Sequence, residues 1–404
     1  MAKVGGALME GYWPRGIPRT VPVPQRPLPA LVKKGPKSAQ ERPALVDRSG
    51  TLTYGELAER IEALSTGLKA SGVTSVAIAE ANLTEGLVAL LGALHAGCQA
   101  TLLDLTAPSD LLGAWIGGAR ADAVLTACDA VADRDDLPVR VLLARDLEQP
   151  PEGSSRPARA AYDQAVVWLP SGKGVKDLSG HSHFTLSAMA TNLRSFLPHF
   201  DELALLATGP VWQWETLVPA LAHLIAGQVV AAHGAAGAPE AGHTYVILER
   251  SALEGLLDDP DAAGILRTVR HLFVQVGTFA PDWRKALERE LGRPVLPLWG
   301  SPDVGPVIAA HPNWFPLPAH GIPLVNVTPV PLNPLRGFPS EVPWWMLDQA
   351  ELGIDAPSTL VDCSSEERLS HVRVGNAVRT GHIVEVDLVG VIRFLSEEVG
   401  NGSR

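Results

Sequence analysis

Between residues 44 and 305 short, wholly apolar strand-like runs alternate with helix-like segments, and this alternation restricts the chain more than any other feature. Ala44–Val46, Ser75–Ala81, Thr101–Leu103, Ala123–Thr126, Ala165–Leu169, Leu203–Ala207, Gln228–Ala231, Tyr245–Leu248, His271–Val276 and Val295–Leu298 carry too little polar alternation for strands with one wet face. Strands of this kind are buried on both sides, in mostly parallel sheets covered by helices. The helices carry their own marks. Thr53-Tyr54-Gly55-Glu56 has the spacing of a capping box, Leu57, Ile61, Leu64 and Leu68 recur at helical period behind it, and Gly72 supplies a stop. A second helix runs from Thr84 to a stop at Gly97, a third starts near Phe184, and a fourth spans about Trp214 to Ile225.

Four stretches follow from this texture. Residues 1–43, rich in proline and basic residues, read as an extended N-terminal strap; 44–235 and 236–305 read as two α/β subdomains separated by a Gly/Ala/Pro stretch; 306–404 read as a Pro-rich β subdomain without helix signals, resembling a small barrel. The chain's 404 residues exceed one simple core, and 46% hydrophobic with 19% charged residues is a globular composition. A net charge of −11 without a Lys/Arg run argues against nucleic acid as a partner. With no apolar run of transmembrane length, no basic-then-apolar leader and three scattered cysteines, Cys98, Cys128 and Cys363, the expected setting is the reducing cytoplasm.

Three segments hold the residue types of a nucleotide site. Leu169-Pro170-Ser171-Gly172-Lys173-Gly174-Val175-Lys176 is a glycine-containing loop between a strand and a helix, where backbone N–H groups can approach phosphates and a lysine adds positive charge. Pro297-Leu298-Trp299-Gly300-Ser301-Pro302-Asp303, preceded by a turn at Gly277, offers an aromatic face and a carboxylate. Val378-Arg379-Thr380-Gly381-His382 leads to Asp387, Gly390 and Phe394. The pair His181 and His183 has chelating spacing, but no third ligand follows at a metal-site interval.

In their order and spacing these segments, together with Ala44-Leu45-Val46-Asp47, Leu52 to Leu57 and Leu87 to Gly97, resemble the large N-terminal domain of the adenylate-forming superfamily, the acyl-CoA synthetases and AMP-dependent ligases. The resemblance implies two covered, mostly parallel sheets in a layered α/β arrangement with a small C-terminal β-barrel-like subdomain. It implies ATP or AMP with Mg²⁺ as cofactors and a carboxylic acid as substrate. Ser171, Gly172, Lys173, Gly174 and Lys176 would then cradle phosphate, Gly277, Trp299 and Gly300 would hold adenine, and Asp303 would hold Mg²⁺. Lys176 and Asp303 are the catalytic candidates, and His183, Trp212, Gln213 and Trp214 would line the acyl pocket.

Several motifs depart from that pattern. The phosphate loop is shorter by about two residues, which alters the curvature of its N–H groups. Asp303 stands where the family has Glu, so its oxygens reach about 1.5 Å less far. His382 stands where the family has the ribose-binding Asp. Phe394-Leu395-Ser396-Glu397 replaces the hinge motif, and no mobile C-terminal domain follows it before Arg404. The resemblance therefore leaves two expectations open. One is an impaired acid-activating ligase, acting alone or completed in trans by a separate C-terminal domain, with CoA or a carrier protein as acceptor. The other is a non-catalytic relative that binds or scaffolds in an acyl or carrier-protein pathway.

Overall fold

The computed structural model describes residues 13–33, 40–148, 164–170, 177–197, 200, 204–232, 244–275, 281–313, 320–333, 340, 342, 344–387 and 390–395. Three sheets organise them, and the apolar strand runs find partners on both faces as their composition requires. In Ser75–Ile78, Val76 and Ile78 enter one core while Ala77 enters another; in Thr244–Glu249, Tyr245 and Ile247 divide in the same way from Val246 and Leu248.

The first sheet has seven strands in the order Asp362–Cys363, Leu178–His181, Val167–Pro170, Gln99–Leu102, Ser75–Ile78, Ala123–Thr126 and Arg140–Leu143. Its last five strands are parallel; Leu178–His181 and Asp362–Cys363 are added antiparallel. The second sheet has nine strands: Ile322–Pro323, Gly305–Ala309, Val295–Ser301, His271–Gln275, Thr244–Glu249, Ala204–Ala207, Val230–Ala232, Pro43–Asp47 and Gly50–Thr53. The helices Tyr54–Ala70, Leu83–Ala96, His183–Phe196 and Trp214–Ala226 share one apolar core with strands of both sheets. A third, antiparallel sheet, built from Thr328–Leu332, Ala350–Asp355, Ala377–Val386, Arg373–Val374 and Ile392–Phe394, forms the C-terminal half-barrel.

Local signals read from the sequence hold in detail. Thr53 and Glu56 close the capping box, with Thr53 N donating to Glu56 Oε2 at 2.8 Å and Glu56 N to Thr53 Oγ1 at 3.2 Å. Gly97 takes φ 86 and ends Leu83–Ala96, which begins one residue before the expected Thr84 because Asn82 caps it. Larger groupings differ. The strands of 236–305 form no sheet of their own; they continue the sheet that holds Pro43–Thr53 and Ala204–Ala232, because parallel strand order is set by crossovers that local texture does not encode. The strap contains the short helix Leu28–Val32, and the Pro-rich stretch contains the helix Glu366–Val372, capped by Ser365. Among the described residues no helix is long and apolar enough to cross a membrane.

Candidate functional site

Two of the three candidate segments meet where the nine-stranded sheet adjoins the half-barrel. Val295–Ser301 and Gly305–Ala309 form a hairpin around Pro302-Asp303-Val304, with a register shift between Trp299 and Gly300. A side chain at 300 would meet Gly305 O at 2.3 Å and the Trp214 ring at 2.7 Å, so glycine is required there by close approach. Gly300→Ala is expected to cost about 1–3 kcal/mol through this overpacking, read as a lower midpoint in chemical denaturation with an unchanged slope.

Trp299 is not an open platform. It is 3% exposed, with its ring tilted against Phe394 at 5.1 Å between centroids and edge-on to His382 at 5.3 Å. His382 also meets Phe394 at 5.2 Å. The half-barrel delivers His382 through a bulge: Gly381 adopts φ 74, Thr380 Oγ1 donates to Leu352 O at 2.8 Å, and His382 N donates to Thr380 Oγ1 at 3.2 Å. The aromatic and ribose-position candidates are thus brought together, edge to face. This packing buries the large apolar ring.

Asp303 is also engaged. Its Oδ1 accepts from Arg368 Nη2 at 2.7 Å and from Ser179 Oγ, and its own carbonyl accepts from Leu360 N at 2.7 Å. Arg368 Nη1 reaches Leu178 O at 3.0 Å and Cys363 Sγ at 3.3 Å. Burial opposes the Arg368 charge, and Asp303, Cys363 and Asp177 more than offset it, so the guanidinium sits above its ordinary range. Burial pushes the Cys363 thiol up to about 11, which keeps it protonated. The donor set does not fit Mg²⁺: a fixed guanidinium occupies the carboxylate, and among the described residues no group of three His, Cys, Asp or Glu could hold a metal. In this structure Asp303 is the ion-pair partner of Arg368.

The sequence reading passed over Arg368, which sits on the helix that the proline density concealed. The signal was available in Ser365-Glu366-Glu367, a cap residue followed by two acids in the first turn.

The acyl-side candidates lie deeper than a pocket lining. Trp212 and Trp214 are both buried in the central core, and Gln213 is half-buried with its amide over Gly209. His183 is fully buried and its Nδ1 accepts from Leu28 N at 3.3 Å, so it anchors the strap. His181 Nε2 donates to Pro302 O at 2.6 Å, pinning the Asp303 turn to the seven-stranded sheet. Burial pushes both histidines down to about 4, so both are neutral donors and acceptors near pH 7. Glu215, beside these tryptophans, is pushed up to about 8 by burial and then by Glu249. Ser171, Gly172, Lys173, Gly174, Lys176 and Gly277 lie outside the described residues.

Residues 32–179 match the AMP-binding enzyme family. The fold matches o-succinylbenzoate CoA synthetase from Bacillus subtilis over 92% of this chain and 79% of that one, at 17% identity and TM-score 0.77. The chain has the fold of the large N-terminal domain of the adenylate-forming enzymes. ATP-bound MatB from Rhodopseudomonas palustris is similar at 17% identity and TM-score 0.77, covering 92% of this chain and 78% of that one. VinN is similar at 16% identity and TM-score 0.78, over 93% of this chain and 100% of that one. Among curated proteins, enterobactin synthase component F of Escherichia coli (strain K12) is 30% identical over 150 residues; the match covers 35% of this chain and 12% of that protein.

Proposed function

We propose that this chain binds a carboxylic acid and an adenine nucleotide and activates the acid as its adenylate at a low rate. The observation that carries the reading is the convergence of Trp299, Gly300 and His382, from two distant segments, on one junction beside the Asp303 turn. In this proposal Lys173 and Lys176 hold phosphate with the N–H groups of Ser171, Gly172 and Gly174, and Gly277 lets the adenine approach. The carboxylate attacks the α-phosphate in line and pyrophosphate leaves. The acyl acceptor is CoA or a carrier protein.

The low rate follows from residues already committed within the protein. Losing one preorganised donor at a developing anion costs about 10²–10³ in rate. ATP–pyrophosphate exchange with a panel of aliphatic and aromatic acids is expected to be weak and to fall a further 10²-fold or so with Lys176→Ala. Exchange untouched by that change would remove the catalytic assignment.

The arrangement of Asp303, Arg368 and His382 also favours a second reading, a non-catalytic relative that keeps the fold as a binding subunit in an acyl or carrier-protein pathway. Acid-independent nucleotide binding with no exchange at any enzyme concentration would favour it.

A further inference from the structure

Asp303 and Arg368 form an ion pair whose two side chains are only 18% and 15% exposed, and the pair is not an incidental surface contact. Arg368 is held by its own helix, whose cap, Ser365 Oγ, accepts from Arg368 N at 3.2 Å. Its guanidinium binds the end of the seven-stranded sheet at Leu178 O and the hairpin turn at Asp303. Three elements of the site are joined through one positive charge. A divalent ion at Asp303 would have to displace that charge or sit against it, and with a unit charge at contact distance in a partly buried site the repulsion is strong.

We propose that Arg368 is the resident counter-ion of Asp303 in place of a divalent metal, so that the chain takes its adenine nucleotide without Mg²⁺ and holds AMP or an acyl-adenylate at least as tightly as ATP. This rests on the functional reading above and deepens it by naming the charge state of the ligand. The Asp303–Arg368 pair is neutral, so this corner has no spare charge for the β- and γ-phosphates of a free triphosphate. A ligand with one phosphate brings less negative charge to this corner than a triphosphate does. Mg²⁺ in nucleotide sites is commonly held by one or two carboxylates plus the substrate's own phosphates. A single arginine is therefore enough to close the metal route, and removing it is enough to open it.

Calorimetry on the full chain tests this, with AMP and ATP each titrated in excess MgCl₂ and in EDTA. For the unmodified protein, the affinities should differ by less than about twofold between the two conditions, and AMP should bind at least as tightly as ATP in EDTA. Arg368→Met, which frees Asp303, should make ATP binding Mg²⁺-dependent by about tenfold or more. Arg368→Lys should keep the original indifference, because the charge remains. Should Arg368→Met alone fail to fold, the double change Asp303→Asn with Arg368→Met removes the uncompensated carboxylate and should be Mg²⁺-indifferent, and Arg368→Gln then serves as the neutral replacement. ATP binding to the unmodified protein that strengthens tenfold or more with Mg²⁺ overturns the inference alone. Binding of neither nucleotide under either condition overturns the functional reading and takes this inference with it.

Discussion

His382→Asp should tighten AMP binding by about 10- to 150-fold while slightly lowering the melting temperature. The first effect is the return of a charge-assisted hydrogen bond to the ribose hydroxyls, worth about 1.5–3 kcal/mol. A neutral imidazole can accept one hydrogen bond at most from a ribose, and here the ring is turned edge-on to Trp299 and Phe394. The second effect is the loss of those aromatic contacts, each worth about 0.5–1.5 kcal/mol beyond simple burial. The opposing signs make the experiment informative. A role confined to packing predicts lower stability and unchanged affinity; the proposed ribose position predicts lower stability and higher affinity. Calorimetry with AMP, run beside thermal melts of both proteins, separates them.

What could be read beforehand divides by the range of the interaction. The capping box at Thr53, the αL stop at Gly97 and the apolar runs of Ser75–Ile78 and Thr244–Glu249 depend on neighbours a few residues away, and the sequence displays them. His183 took the role of a strap anchor because its partner, Leu28 N, lies 155 residues earlier, a distance no motif records. Asp303 was legible as a carboxylate at a turn, while its counter-ion lies 65 residues later on a helix inside proline-rich sequence. The residues of the site were therefore recognisable, and the contacts that occupy them were not. Trp299 makes the same point: its segment was recognisable from motif order, but its contact with His382 and its burial under Phe394 depend on how the half-barrel closes.

Stability should fall steeply as the pH drops from about 6.5 toward 4. Four histidines, His181, His183, His223 and His311, are at most 2% exposed, and burial pushes each from 6.5 to about 4. A histidine whose folded value is depressed is neutral in the folded state and protonated in the unfolded one below 6.5. Its contribution is complete above 6.5 and is lost as pH falls to about 4. Glu215, raised to about 8, and Glu80, raised by burial, work in the opposite direction, since each favours the folded state at lower pH. Four protons against the one of Glu215 leave a net uptake on unfolding of at most about three, or up to about 4 kcal/mol per pH unit at the steepest point, which Glu80 lowers further. Across the window this approaches half or more of the roughly 5–15 kcal/mol that stabilises an ordinary domain. Guanidinium denaturation between pH 7.5 and 4.5 should show the midpoint falling with the slope intact. His183→Asn should flatten the curve by about 1.4 kcal/mol per pH unit, because the Asn carbonyl can accept from Leu28 N without titrating. A midpoint unchanged over that range would mean that these histidines accept protons in the folded protein, and the strap contact at His183 would then have to open to admit one.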